Sequence, residues 1–206
     1  MTLLDSASRT TLQLHAAAVT FNGSGILLPA PSLSGKSTLT AGLLREGFDF
    51  LSDELITIEP ATRTASSGRS TLQLRVDVAD LFPTVPGFAG SDAGQQVSVL
   101  PGEVFGCSLP ATCIIDHVVF PRYKKDESSR LTSMTRANAL VELCRNTVSF
   151  NEIGPPALDL LALLVRTVPC VGLCFGDLRE AVRIVADLAQ SGGSRNDWLR
   201  RDGSPA

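Results

Sequence analysis

The stretch GILLPAPSLSGKSTLTAGLLR, ending at Arg45, constrains this chain more than any other. An apolar run, Ile26 to Leu28, leads into a turn that closes on Gly35-Lys36-Ser37-Thr38, and leucines at helical spacing follow. Strand, tight loop, then helix is the setting in which a backbone wraps phosphate groups, the P-loop. Such a junction aims unpaired N–H groups and the positive end of a helix dipole at one point. A triphosphate suits that point. Lys36 is expected to reach its β- and γ-phosphates, and the Ser37 hydroxyl to complete the shell of a Mg²⁺ ion. Ser32, Ser34, Gly35 and Thr38 complete the expected nucleotide-binding set.

The loop departs from the usual G-x-x-x-x-G-K-[ST] spacing in three places. Ala30 holds the first glycine position, Pro31 removes one N–H donor, and Leu33 stands where small residues are usual. A leucine there is strained if the backbone must turn left-handed.

At 206 residues and 44% apolar, the chain is long enough for one good core, so one domain is expected over 1–190. A net charge of −3 invites neither nucleic acid nor an anionic membrane. No apolar run approaches the roughly 18–20 residues that span a bilayer. The opening MTLLDSASRT has neither a basic start nor an apolar signal core, so a cytoplasmic protein is expected. Five cysteines at 107, 113, 144, 170 and 174 form no C-x-x-C pair and read as reduced thiols. Cys170 and Cys174 share one face of a predicted strand and are expected to be buried there. Residues 191–206, rich in Gly, Ser and Arg, are expected to form a flexible tail in which Trp198 is the one candidate anchor.

Along the chain, residues 12–20 read as a strand, Asn22-Gly23 as a hairpin turn, and Gly25 to Leu28 as the returning strand. A helix over 37–45 is stopped by Gly47. Short strands are expected at 48–51 and 55–58, then a polar loop over 60–70. A strand with a helical turn covers 71–82, and Gly and Pro exclude regular structure from 83–94. Strands follow at 97–100 and 113–120, then a charged loop over 121–129. Thr135 and Asp177 read as helix caps, and Pro155-Pro156 as a helix start, with a strand at 170–175. The alternation predicts an α/β fold, and the hairpin before the loop makes its sheet mixed.

Phosphoryl transfer also needs a metal ligand, a proton acceptor and positive charge over the terminal phosphate. Asp53 and Glu54 follow the strand after the helix, at the sheet edge where Lys36 lies. One carboxylate can hold Mg²⁺ and the other accept a hydroxyl proton. His15 lies on the neighbouring hairpin strand, on the face opposite Leu14; alone, it reads as either structural or functional. His117 reads as structural. Of the basic residues from Arg122 to Arg136, Arg122 is best placed to contact a phosphate or an acidic substrate, because it immediately follows a strand.

Taken together, His15, the loop ending Gly35-Lys36-Ser37, and Ser52-Asp53-Glu54 resemble the catalytic domain of HPr kinase/phosphorylase, and especially its HprK-related kinase subgroup. The segments VVFPRY, SFNEIG and FGDLREAV look like the same subgroup, whereas residues 60–112 match poorly. The resemblance implies the P-loop kinase fold shared with phosphoenolpyruvate carboxykinase, a mixed sheet with flanking helices. It implies Mg²⁺-ATP as cofactor and phosphorylation of a serine hydroxyl on a protein, peptide or small acceptor. Glu54 then takes the role of base, Asp53 and Ser37 that of metal ligands, and His15 a place near the phosphates. Arg122 becomes a phosphate contact. Homo-oligomers are common in that family, and the 83–94 segment is a candidate contact. A nucleotide-binding regulatory protein without transfer chemistry is the alternative, motivated by Leu33.

Overall fold

A computed structural model describes residues 10–68, 71–148 and 150–191. Strand β1 (Leu12–Phe21) turns at Asn22-Gly23 into β2 (Ser24–Pro29), and both turn residues have positive φ. Helix α1 (Lys36–Arg45) follows, then β3 (Asp49–Ser52), β4 (Leu55–Glu59) and β5 (Thr64–Ser66). A separate hairpin is formed by β6 (Leu72–Arg75), a 3₁₀ turn (Val76–Leu81) and β7 (Gln96–Val99). Then come α2 (Pro101–Phe105), β8 (Thr112–Tyr123), β9 (Arg130–Ser133), α3 (Arg136–Arg145) and α4 (Phe150–Ile153). Helix α5 (Pro156–Thr167), β10 (Cys170–Phe175) and α6 (Leu178–Gln190) complete the order.

The long strands β1 and β8 each serve two sets of partners. The first half of β1 pairs with β4 and its second half with β3, while β2 runs antiparallel along its other edge. β8 pairs first with β5, then in parallel with β2, then in parallel with β10. The mixed sheet expected from the hairpin is therefore present, with β2 at its centre between β1 and β8. β2 reads as an unbroken apolar run because both its faces are buried. Ile26 and Leu28 enter one core with α1 and α6, and Leu27 enters the other with α3 and α5.

The caps sit where the sequence puts them. The Thr135 side chain accepts a hydrogen bond from the Asn138 N–H at 3.1 Å, and Asp177 accepts one from the Glu180 N–H at 2.9 Å. Several expectations need correction. The polar 60–70 segment contains β5, which is three residues long and too short to show a pattern. The segment read as a charged loop over 121–129 starts as strand, because β8 runs on to Tyr123, and the chain returns as β9 just after it. Pro121 falls beyond the stretch paired with β2, where one edge of β8 is free and a strand proline is tolerated. Cys170 and Cys174 are only partly buried; the fully buried face of β10 carries Val171, Leu173 and Phe175. No helix among the described residues is long and apolar enough to cross a membrane. Apart from Ser191, the expected tail with Trp198 lies outside the described residues.

Candidate functional site

Between β2 and α1 the backbone turns left-handed twice, at Leu33 (φ 66°) and at Gly35 (φ 88°). Gly35 is required for two reasons. Its φ suits only glycine without strain, and an added Cβ would lie 2.8 Å from the Phe175 ring and 2.9 Å from the Tyr123 Cβ. The loop is tied to the end of β8 by the Tyr123 N–H, which donates to the Ser34 carbonyl at 2.9 Å. No side chain caps α1 and no acidic residue lies in its first turn. Its first N–H groups and positive dipole end are thus left for a ligand.

Onto this helix start converge groups from three other strands. Lys36 is 5% exposed, and its Nζ lies 3.2 Å from the His15 Nε2, presented by β1. An ammonium only donates, so Nε2 accepts and the ring proton sits on Nδ1. β1 is fixed there by two main-chain bonds: the His15 N–H donates to the Asn146 carbonyl at 2.7 Å, and the Ala16 N–H donates to the Glu54 carbonyl at 3.2 Å. Asp53, immediately after β3, is also 5% exposed. Its Oδ2 accepts the Gln73 N–H at 3.2 Å, and it shares a cavity with the Ser37 hydroxyl.

The electrostatics are out of balance in a telling way. Burial pushes the Lys36 ammonium down to about 8, although Asp53 and Glu54 pull it back. Burial likewise raises the Asp53 carboxyl, against its bond to the Gln73 N–H, the Ser37 hydroxyl and the charge of Lys36. Burial, then the Lys36 charge, lowers His15, against its bond to the Ala30 backbone. Lys36 and Asp53 have each lost more hydration than their neighbours restore. An anion beside Lys36 and a cation beside Asp53 would correct both.

His15, Ser32, Ser34, Gly35, Lys36, Ser37, Thr38, Asp53 and Glu54 all line one cavity of about 260 Å³. The structure therefore brings together every site residue expected from sequence except Arg122. Arg122 borders a second cavity, of about 660 Å³, behind the same loop. The reason is strand alternation continued past Pro121. Val118 and Phe120 face the α3/α5 core, so Arg122 follows them, whereas His15 shares its face with Ala17 and Val19 on the α1/α6 side.

Sequence reasoning missed Gln73, Arg75 and Gln96, which form the wall of the first cavity opposite the loop. The signal was available in LQLR: Leu72 and Leu74 are buried in the core, so Gln73 and Arg75 face the other way. Arg75 is held by Asp77, its Nε 2.9 Å from Oδ2. The Ser34 Oγ is buried with no hydrogen-bond partner. His117 is buried, as a structural residue would be, and its Nδ1 also has no partner. No cluster of three or more His, Cys, Asp or Glu side chains among the described residues can hold a metal ion unaided.

The chain matches no established family profile and no curated protein. Among solved structures it is similar to the Hpr(Ser) kinase/phosphatase from Coxiella burnetii, with a TM-score of 0.45 and 12% identity, over 93% of this chain and 99% of that one.

Proposed function

We propose that this protein is an ATP-dependent kinase that moves the terminal phosphoryl group of Mg²⁺-ATP to a serine-type hydroxyl, in the manner of HPr-kinase-like enzymes. One observation carries the reading: a buried lysine at an uncapped helix start shares a cavity with a buried carboxylate, Asp53, and with the Ser37 hydroxyl. The residues fit the ligand on their own terms. Lys36 and the free N–H groups of α1 suit phosphate oxygens, and Ser37 with Asp53 suits Mg²⁺. The remaining ligands of such an ion would be phosphate oxygens and water. The orphaned Ser34 hydroxyl is a further donor for phosphate.

When bound, Mg²⁺-ATP supplies the phosphoryl group and a leaving group already partly neutralised. The chain's own residues do the rest. The acceptor hydroxyl oxygen bonds to the terminal phosphorus as the bond to the β,γ-bridging oxygen breaks. Its proton passes to Glu54, and the electron pair of the broken bond leaves on ADP. Neutral His15 holds the Lys36 ammonium in place through Nε2. Arg75, exchanged from Asp77, brings positive charge to the transferring group.

The test is incubation with γ-labelled ATP and candidate acceptors, beside a thermal melt with Mg²⁺-ATP. Lys36→Ala should abolish both transfer and most of the stabilisation by nucleotide. Glu54→Gln should keep the melt shift and slow transfer by roughly 10²–10⁴-fold. An unaltered shift in Lys36→Ala sinks the reading. The left-handed, 79% exposed Leu33 favours a second reading, a nucleotide-binding regulator. That reading gains if the wild type shows the shift and transfers nothing.

A further inference from the structure

The second cavity lies across the loop from Lys36, and residues Pro31 to Ser34 line both spaces. At about 660 Å³ it falls within the ordinary range for ligand sites, roughly 300–1,000 Å³. Two kinds of surface meet in it. One is apolar: Phe120, Met134 and the 48% exposed Tyr123, with Leu33 at the rim. The other is charged. Glu142 and Arg145 neutralise each other at 2.6 Å, which leaves Arg122 as the uncompensated charge of the cavity. Among the described residues the Arg122 guanidinium has no ion-pair or hydrogen-bond partner, and it stands on an ordered strand rather than a free loop.

A fixed guanidinium without a partner is a carboxylate or phosphate receptor. The phosphates of the nucleotide are already provided for by Lys36 and the helix start, on the opposite face of the sheet. The cavity also reaches β9, the last strand of the sheet, through Thr132. Cation, apolar wall and sheet edge together match an extended chain better than a small rigid ligand.

We infer that this cavity docks the phosphate acceptor, and that the acceptor is an acidic, serine-containing segment of a peptide or protein. The inference rests on the kinase reading above for the word acceptor, but docking itself can be read without transfer. The segment lies against Tyr123 and Met134 with a carboxylate on Arg122, and its serine crosses the loop shoulder at Pro31 to Ser34 into the Lys36 cavity. Leu33 then has a purpose. Its left-handed backbone turns an apolar side chain outward at the rim between the two ligands.

The test uses fluorescein-labelled degenerate peptides with a central serine and flanks that are acidic (Asp/Glu), neutral (Asn/Gln) or basic (Lys/Arg). Binding is followed by anisotropy on the full chain, with and without Mg²⁺-ADP. The acidic set should bind best. Arg122→Gln, at an exposed position, should weaken that binding roughly tenfold and leave the Mg²⁺-ATP melt shift unchanged. Lys36→Ala should lose the melt shift and keep the peptide. The effect of Arg122→Gln should shrink as salt rises. Equal binding of the three sets, or unchanged binding by Arg122→Gln, overturns the inference. So does a reduced ATP shift in Arg122→Gln with peptide binding intact, which would give the cavity to the nucleoside. If peptide docks on Arg122 and no phosphate transfers, the kinase reading fails and the docking site stands.

Discussion

The two ends of β2 solve the same geometric problem with different residues. At its start the chain reverses through Asn22 (φ 50°) and Gly23 (φ 83°); at its end it turns through Leu33 (φ 66°) and Gly35 (φ 88°). Asparagine and glycine accept a left-handed backbone at little cost, and a Cβ added to Gly23 would meet nothing within 4 Å. The hairpin is built for stability. The far end holds a strained leucine, a glycine pressed between two aromatic residues, a buried ammonium and an uncapped helix. Strain of this kind persists only where surrounding structure enforces it, and it gathers at functional sites.

The largest effect expected from this contrast is between the two glycines. Gly35→Ala should destabilise the protein by about 2–4 kcal/mol and remove its response to Mg²⁺-ATP, because strain and overlap with Phe175 and Tyr123 add. Gly23→Ala should cost about 1 kcal/mol and leave the nucleotide response intact. Urea melts of the two variants measure the difference; equal costs would break the comparison.

A smaller effect concerns Lys36. Its folded-state pKa, about 8, lies below its ordinary value of 10.5, so between these limits the unfolded chain holds the extra proton. The charge therefore weakens the empty fold at neutral pH, and the penalty fades as pH rises through that window. Lys36→Met without nucleotide should be more stable than the wild type by about 1–3 kcal/mol at pH 7, with the gap closing toward pH 10. A variant less stable than wild type at pH 7 would show that Asp53 already compensates the ammonium.

Smallest is the strain at the rim. Leu33→Gly should gain about 0.5–1 kcal/mol, whereas Asn22→Gly should change stability by less than about 0.5 kcal/mol. Calorimetric melts of the two resolve this. A neutral Leu33→Gly would mean the leucine recovers its strain from contacts on the loop.

How much of this was legible beforehand depended on how far each signal extends along the chain. The loop and its flanks were readable because strand, turn and helix each leave a pattern, and β2 is apolar throughout because it is buried on both faces. Asp53 and Glu54 followed from their order after the loop, whereas His15, ambiguous on its strand alone, gained its place only through the family resemblance. That Arg122 lines the second cavity and not the first was hidden because Pro121 looks like the end of a strand, and only the pairing with β10 shows that it is not. β9 was hidden by its setting: RLTS at a sheet edge has Leu131 as its single apolar residue and follows a run of charges. Gln73 and Arg75 were recoverable from alternation alone, but their position over the loop depends on how a separate hairpin packs. No local pattern contains that.

The main-chain bond from the His15 N–H to the Asn146 carbonyl, 2.7 Å long, joins the strand that carries His15 to the residue just past α3. α3 contributes Glu142 and Arg145 to the second cavity. One amide thus stands between two cavities on opposite faces of the sheet. Its hydrogen can exchange with solvent only when that joint opens, so the exchange rate of a single backbone proton is a gauge, set inside the first space, of how firmly the wall of the second is held.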